Sequence, residues 1–238
     1  MSTGLAAAIR AENERGLVAV IPDIKCRSPK EGDLLAGRDP VAVAEQLVGF
    51  GAPVLSVVTE AERYGGSPAL LRDIVRATGV PVLRKDFITT PAELVQTAEL
   101  GATAVLLICA TLDEYSVRTL YGAALGLGLE PLVEVCTESE MALARDLDAR
   151  LVGINNRDIV AWEVDDGTVS RTASLASGAP PGAVLVSESG IGSEADARAA
   201  AAAGANAVLV GTALWQAGDM GAMYASLRVP AVAPGRAN

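Results

Sequence analysis

Eight short apolar runs recur along the chain, and most end in a polar or charged residue. They are Val18–Ile24, Val54–Thr59, Val82–Lys85, Ala104–Ile108, Leu132–Val135, Leu151–Asn155, Val184–Glu188 and Ala207–Val210. Runs of Val, Leu and Ile without alternation suit strands buried on both faces, the condition of a parallel sheet. An ammonium at the end of such a run, as in Val82-Leu-Arg-Lys85, therefore needs a reason. In a barrel of parallel strands the carboxyl ends face the active site, so polar groups there read as catalytic. Lys25, Glu134, Asn155 and Glu188 occupy the same place on other runs.

The intervening segments carry helix signals. Asp39-Pro40 and Ser67-Pro68 pair a capping oxygen with a proline whose missing N–H is harmless at the first helical position. Thr90-x-x-Glu93, Thr111-x-x-Glu114 and Thr137-x-x-Glu140 fit the reciprocal capping box. Gly51, Gly101 and Gly204 each precede Ala and then a strand, as residues that end a helix in the left-handed region do. This is a repeated βα unit with right-handed crossovers. An open doubly wound sheet would have fewer strands and a glycine-rich first turn, which Lys25–Asp33 lacks. The expected fold is α/β, a (β/α)8 TIM barrel with a short N-terminal helix. Its 238 residues are read as one domain, 1–16 being a helical extension and 229–238 a loose tail. The segments Cys26–Arg38 and Arg157–Gly167 read as long loops of the kind that form active-site lids.

Composition narrows the function. The net charge of −10 argues against nucleic acid or an anionic membrane as a partner. A small anion would still feel the local field of a few placed cations. With no histidine, neither an imidazole metal site nor a Ser-His or Cys-His nucleophile can be built. The three cysteines are widely spaced and lack metal-ligand spacing, so no metal is expected and the thiols read as reduced. Met1–Arg10 lacks the pattern of a signal peptide and no run is long enough to span a membrane, so the expected location is the cytoplasm. The sequence leaves the oligomeric state open.

Two glycine-containing loops follow the last two strands: Ser187-Glu-Ser-Gly-Ile-Gly-Ser193 and Val210-Gly-Thr212. Small residues let backbone amides approach an anion, and the loops after strands seven and eight are the usual phosphate site of this fold. Each alone reads as a turn and cap; together, in this place, they point to phosphate.

These stretches resemble the indole-3-glycerol phosphate synthase family. The matching motifs are Asp23-Ile-Lys25-x-x-Ser28-Pro29, Leu55-Ser-Val-Val-Thr-Glu60, Tyr64-Gly-Gly-Ser67, Val82-Leu-Arg-Lys85-Asp-Phe87, Pro131-Leu-Val-Glu134, Val152-Gly-Ile-Asn155-Asn-Arg157, Ser187-Glu188-Ser189-Gly190 and Leu209-Val-Gly211-Thr212. The resemblance implies a carbon–carbon lyase of tryptophan biosynthesis. Such an enzyme closes the ring of a phosphorylated amino-deoxyribulose adduct of anthranilate, releasing CO2 and water without a cofactor. It further implies that Lys85 is the general acid for ring closure, that Lys25 holds the departing carboxylate and that Glu134 is the base for dehydration. Asp23, Asn155 and Glu188 would order the site, Asp23 standing where the family has glutamate. Ser28, Arg157, Ser189, Gly190, Leu209, Gly211 and Thr212 would bind substrate, with Tyr64 and Phe87 as the aromatic wall. Two other readings fit these residues: a divergent relative acting on another phosphorylated sugar adduct, and a non-catalytic barrel that binds a sugar phosphate.

Overall fold

A computed structural model describes residues 4–157 and 168–232. Eight parallel strands close into a barrel. They are β1 (Ala19–Ile24), β2 (Leu55–Val58), β3 (Val82–Lys85), β4 (Ala104–Ile108), β5 (Glu130–Val135), β6 (Leu151–Asn155), β7 (Val184–Glu188) and β8 (Ala207–Val210). Each strand pairs with its sequence neighbour, and β1 closes the ring on β8 through Ala19↔Ala207 to Pro22↔Val210. All eight lie on the runs read from sequence.

Alternation along the strands divides the core in two. Ile21, Leu83, Leu106, Leu132, Val186 and Leu209 fill the barrel interior. Val20, Val57, Val105, Val133 and Val208 face outward against the surrounding helices. Those helices are α2 (Pro40–Gly49), α3 (Pro68–Thr78), α4 (Pro91–Glu99), α5 (Glu114–Gly126), α6 (Glu138–Asp146), α7 (Ser170–Leu175), α8 (Glu194–Ala202), α9 (Thr212–Gln216) and α10 (Met220–Leu227). With so few aromatics, the outer layer is closed by small residues: α8 buries Ala197, Ala200 and Ala201.

The caps form as the side chains dictate, with one exception. Asp39 accepts from the Val41 amide and Ser67 from the Leu70 amide, while Thr90 and Thr137 make capping boxes with Glu93 and Glu140. Thr111 does not cap α5. Its hydroxyl donates to the Ile108 carbonyl at 3.2 Å, closing a 3₁₀ turn, and Asp113 caps instead by accepting from the Ser116 amide at 2.7 Å. A carboxylate nearer the helix start is the stronger acceptor for those amides. Gly51, Gly101 and Gly204 take φ of 99°, 85° and 103°, ending their helices in the left-handed region as read from sequence.

Pro22 sits in a barrel strand without breaking it. Since the Ala19 amide points to β8, alternation turns the Pro22 nitrogen toward β2. Pairing with β2 begins only at Asp23↔Ser56, so the missing donor falls outside the ladder.

Two terminal segments meet at the bottom of the barrel. In α1 (Leu5–Glu14), Leu5 and Ile9 are fully buried among the interior residues that begin the strands, so the helix plugs the end opposite the strand termini. Glu130, at the start of β5, accepts from the Leu5 and Ala6 amides at the α1 N-terminus, where a negative charge is favoured. Glu12, at the other end, is buried between Arg15 and Arg228. The first residues of the expected loose tail are ordered: Val18 donates to the Val229 carbonyl, Leu17 bridges Pro230, and Ala231 donates to the Gly16 carbonyl. Burial of Val229 and these backbone bonds supply what composition alone did not reveal. Residues 233–238 lie outside the described residues, as do 158–167 of the expected second loop. The first long segment is a small hairpin, Arg27–Ser28 paired with Gly32–Asp33.

The plug generates a stability prediction. Ile9→Ala removes three methyl or methylene groups from a site with no solvent access, so urea denaturation should show a loss of about 2–5 kcal/mol. Because α1 lies at the far end of the barrel from the polar strand termini, turnover by the folded variant should match that of the parent.

Candidate active site

The inward positions change character toward the carboxyl ends of the strands. Below are aliphatic side chains; above come Asp23, Lys85, Glu134, Asn155 and Glu188. They surround a cavity of about 950 Å³. Every site residue read from sequence lines this cavity except Ser28 and Glu134. Ser28 is buried in the hairpin, its hydroxyl oxygen accepting from the Lys30 and Glu31 amides, while Pro29 and Lys30 reach the cavity instead. Glu134 is buried beside it, 1% exposed like Glu188.

Lys85 is the centre of charge. Burial alone would depress its pKa, but the facing carboxylates of Asp23, Glu134 and Glu188, together with Tyr64, override that and raise it above the ordinary lysine value. The amine is therefore protonated across the neutral range. The carboxyl groups shift as well. Burial is the main cause of the raised pKa of Glu134, offset in part by the Lys85 charge and the Asn155 amide. Glu188 is pushed well up by burial and then by the charge of Glu134. Two buried carboxyls that shift each other titrate as a pair. None of their four oxygens makes a hydrogen bond of normal geometry. An ammonium proton donor beside a carboxyl pair able to accept or release a proton is the equipment of general acid–base chemistry.

Two neighbours that sequence reading did not single out hold these groups in place. Gly153 is inward-facing on β6; a Cβ there would lie 2.1 Å from Glu188 Oε1. The glycine is the space in which the Glu188 carboxylate rests, and a glycine inside a strand is the signal that could have revealed it. Ser56, fully buried on β2, donates to Asp23 Oδ1 at 2.6 Å. Trp215 Nε1 donates to the Asp23 carbonyl at 2.9 Å. Arg84, the residue before Lys85, points outward and is tied down by Thr59, Gln96, Thr97 and Asp86. Strand alternation sends the neighbouring Lys85 into the cavity.

The second cation stands across the barrel mouth. Lys25 Nζ lies 3.5 Å from Thr212 Oγ1 and 5.7 Å from the centre of the Tyr64 ring. Phe87 faces the same cavity, with the Arg63 guanidinium 5.8 Å from its ring centre. These groups make a surface suited to a flat ring bearing an anion.

A second anion-binding region lies after β7 and β8. Ser189 and Gly190 have φ of 64° and 70°, consecutive residues in the left-handed region. The Ser189 amide continues the ladder toward Leu209 of β8, and among the described residues nothing accepts from the Gly190 or Ile191 amides. The start of α8 is itself satisfied, by Ser193 and by Asp196, which accepts from the Gly192 amide. The free donors are those of the loop, not of the helix. Gly211 packs on Asp23, since a Cβ would stand 3.4 Å from the Asp23 carboxylate. Arg157 completes the rim, its amide donating to Asn155 Oδ1 at 3.0 Å.

The chain was compared with known proteins. A family profile described as indole-3-glycerol phosphate synthase matches residues 2–227. The indole-3-glycerol phosphate synthase of Thermococcus kodakarensis is 44% identical over 219 residues, covering 92% of this chain and 94% of the relative. That of Pyrococcus furiosus is 44% identical over 214 residues, covering 90% and 92%. That of Opitutus terrae is 40% identical over 218 residues, covering 90% and 81%.

The carboxyl pair has a consequence for stability. Glu188 titrates from 4.5 when unfolded and well above that when folded, so between those values the native state binds more protons. Stability then falls as pH rises through the folded value. Glu188→Gln removes this slope: denaturation midpoints at pH 5 and pH 8 should lie closer together than in the parent, with the variant gaining chiefly at pH 8. A variant with the parent's pH dependence would show that the carboxyl is not perturbed.

Proposed function

Because the chain belongs to the indole-3-glycerol phosphate synthase family, we propose that the cavity residues divide the family's reaction among them as follows. The activity is that of a carboxy-lyase of tryptophan biosynthesis. It converts 1-(2-carboxyphenylamino)-1-deoxyribulose 5-phosphate to an indole bearing glycerol phosphate, with loss of CO2 and water. The alternatives left by the sequence, a divergent sugar-adduct enzyme and a non-catalytic barrel, give way to this reading.

The substrate's phosphate is held by the amides of Gly190 and Ile191, with Ser189, Gly211, Thr212 and Arg157 around it. Its ring lies between Tyr64 and Phe87, and Lys25 pairs with the ring carboxylate. So held, the ring carbon that carries the carboxylate faces the ketone carbon of the sugar. Lys85 gives its proton to the ketone oxygen as the carbon–carbon bond forms. The charge is thus neutralised as it develops, which is where a positioned acid lowers the barrier. The carbon–carbon bond to the carboxylate then breaks, its electron pair returns to the ring system, and CO2 leaves. The new hydroxyl leaves as water with a proton supplied by the Glu134–Glu188 pair, which takes in its place the proton that the forming indole gives up, so the pair ends as it began. Glu134 is the base in this reading, and Glu188, whose pKa its charge raises, lines the cavity. Asp23 and Asn155 hold Lys85 and Glu134 in orientation.

The observation that carries this reading is the Lys85 ammonium, kept charged by three carboxylates at the wall of a cavity that also offers free backbone donors to an anion. The whole site is built by one barrel, in keeping with a single domain. Among the described residues no helix is long and apolar enough to cross a membrane, and a biosynthetic enzyme acting on a phosphorylated metabolite belongs in the cytoplasm.

The test is turnover of the anthranilate adduct, followed by the fluorescence of the indole product. The parent should convert it. Lys85→Ala should lower kcat by about 10²-fold or more, the scale of general acid catalysis, in protein that remains folded at the assay temperature by circular dichroism. A variant with near-parental turnover would remove Lys85 from the mechanism.

A further inference from the structure

Asn156, the residue after β6, takes no part in the mechanism above, yet its carboxamide makes five hydrogen bonds beside the site. It is buried, 6% exposed. Its Nδ2 donates to Ser187 Oγ at 3.1 Å, to the Glu188 carbonyl at 2.9 Å and to the Ser189 carbonyl at 3.1 Å. Its Oδ1 accepts from the Thr172 amide at 3.0 Å and from the Thr172 hydroxyl at 3.1 Å. The ring of contacts closes where Thr172 Oγ1 meets Ser187 Oγ at 2.8 Å. The Asn156 amide also donates to the Glu188 carbonyl. One carboxamide thus joins the ends of β6 and β7 to α7.

The bond to the Ser189 carbonyl fixes the peptide that joins Ser189 to Gly190. Ser189 is one of few non-glycine residues at positive φ in the described chain. A non-glycine residue pays a conformational penalty there unless its surroundings hold it. Without the clamp, that peptide is free to rotate toward the commoner region, carrying the Gly190 amide with it and releasing the Ile191 amide beyond. Every Nδ2 bond goes to a residue leading into this turn, and both Oδ1 bonds anchor the clamp to a fully buried threonine.

We infer that Asn156 is a positioning residue for substrate phosphate: its carboxamide, braced by Thr172 and Ser187, holds the Ser189–Gly190 peptide so that the loop amides face the anion. The inference rests on the reading that these amides bind the phosphate. It also identifies a better probe of that subsite than the glycines. A side chain at Gly211 would press on Asp23, and one at Gly190 would meet the Thr168 carbonyl at 2.7 Å. A substitution at Gly190 confounds binding with a clash, and one at Gly211 touches the Asp23 carboxylate of the catalytic cluster.

Because the phosphate does not react, loss of its positioning should appear in KM far more than in kcat. In Asn156→Ala, KM for the anthranilate adduct should rise by about tenfold or more, with the inhibition constant for inorganic phosphate rising in parallel, the scale of losing hydrogen bonds to a charged group. The effect on kcat should be much smaller. A purely structural role would lower the melting temperature and leave both constants at the parent's values, and that result overturns the inference. Should Asn156→Ala fail to fold, Thr172→Val, which removes only the bracing hydroxyl, should give a smaller shift in the same two constants; unchanged constants there are equally fatal. The parent separates the two ideas. If inorganic phosphate does not inhibit the parent competitively, the reading of the Gly190 and Ile191 amides as the phosphate site fails. If it inhibits the parent and the folded variants equally, only the role of Asn156 fails.

Discussion

The attraction between the Lys85 ammonium and the carboxylates of Asp23, Glu134 and Glu188 organises the upper end of this barrel. Burying four ionisable groups together is unfavourable unless their charges compensate, and uncompensated carboxylates change protonation instead. Three acids against one amine leave an excess of negative charge. Burial and mutual repulsion raise the pKa values of Glu134 and Glu188 together. The protein thus contains a charged donor and perturbed carboxyl groups side by side, in surroundings where neither is well solvated. That arrangement costs stability and supplies reactivity, a trade that active sites make repeatedly.

The backbone accommodates this cluster through small residues as much as through charge. Gly153 leaves the space in β6 where the Glu188 carboxylate rests, and Gly211 packs closely on Asp23. The Ser56 hydroxyl fixes one oxygen of Asp23, whose side chain is one methylene shorter than the glutamate of the family pattern. The shorter acid has a dedicated partner, so the difference from the family is supported by its surroundings rather than left as a gap. At the opposite end, α1 closes the barrel with Leu5 and Ile9. Stability and chemistry are therefore separated along the barrel axis, as strand alternation and parallel topology allow.

Much of this was legible in the order of residues. Local rules act over a few positions, so apolar runs located every strand, Asp39, Ser67, Thr90 and Thr137 located helix starts, and Gly51, Gly101 and Gly204 located helix ends. Parallel strands of a closed barrel must present their carboxyl ends together, so Lys25, Lys85, Asn155 and Glu188 could be assigned to one mouth before any coordinate was known. Thr111 shows the limit of a local rule: the capping spacing was present, but Asp113 lay closer and won. Ser28, whose motif position points to substrate, also has a local task, since its hydroxyl oxygen accepts from the Lys30 and Glu31 amides of the hairpin.

What the sequence determined by itself was the set of elements, their closure into a barrel and the face that carries the chemistry, because these follow from periodicity and chain direction. Only the tertiary structure decided that Glu134 and Glu188 are buried together against Lys85, and that Gly153, Ser56 and Asn156 hold the working residues in place. Those facts depend on distances between strands far apart in the chain, and on which polar groups burial leaves with a partner. Neither quantity is a property of neighbouring residues.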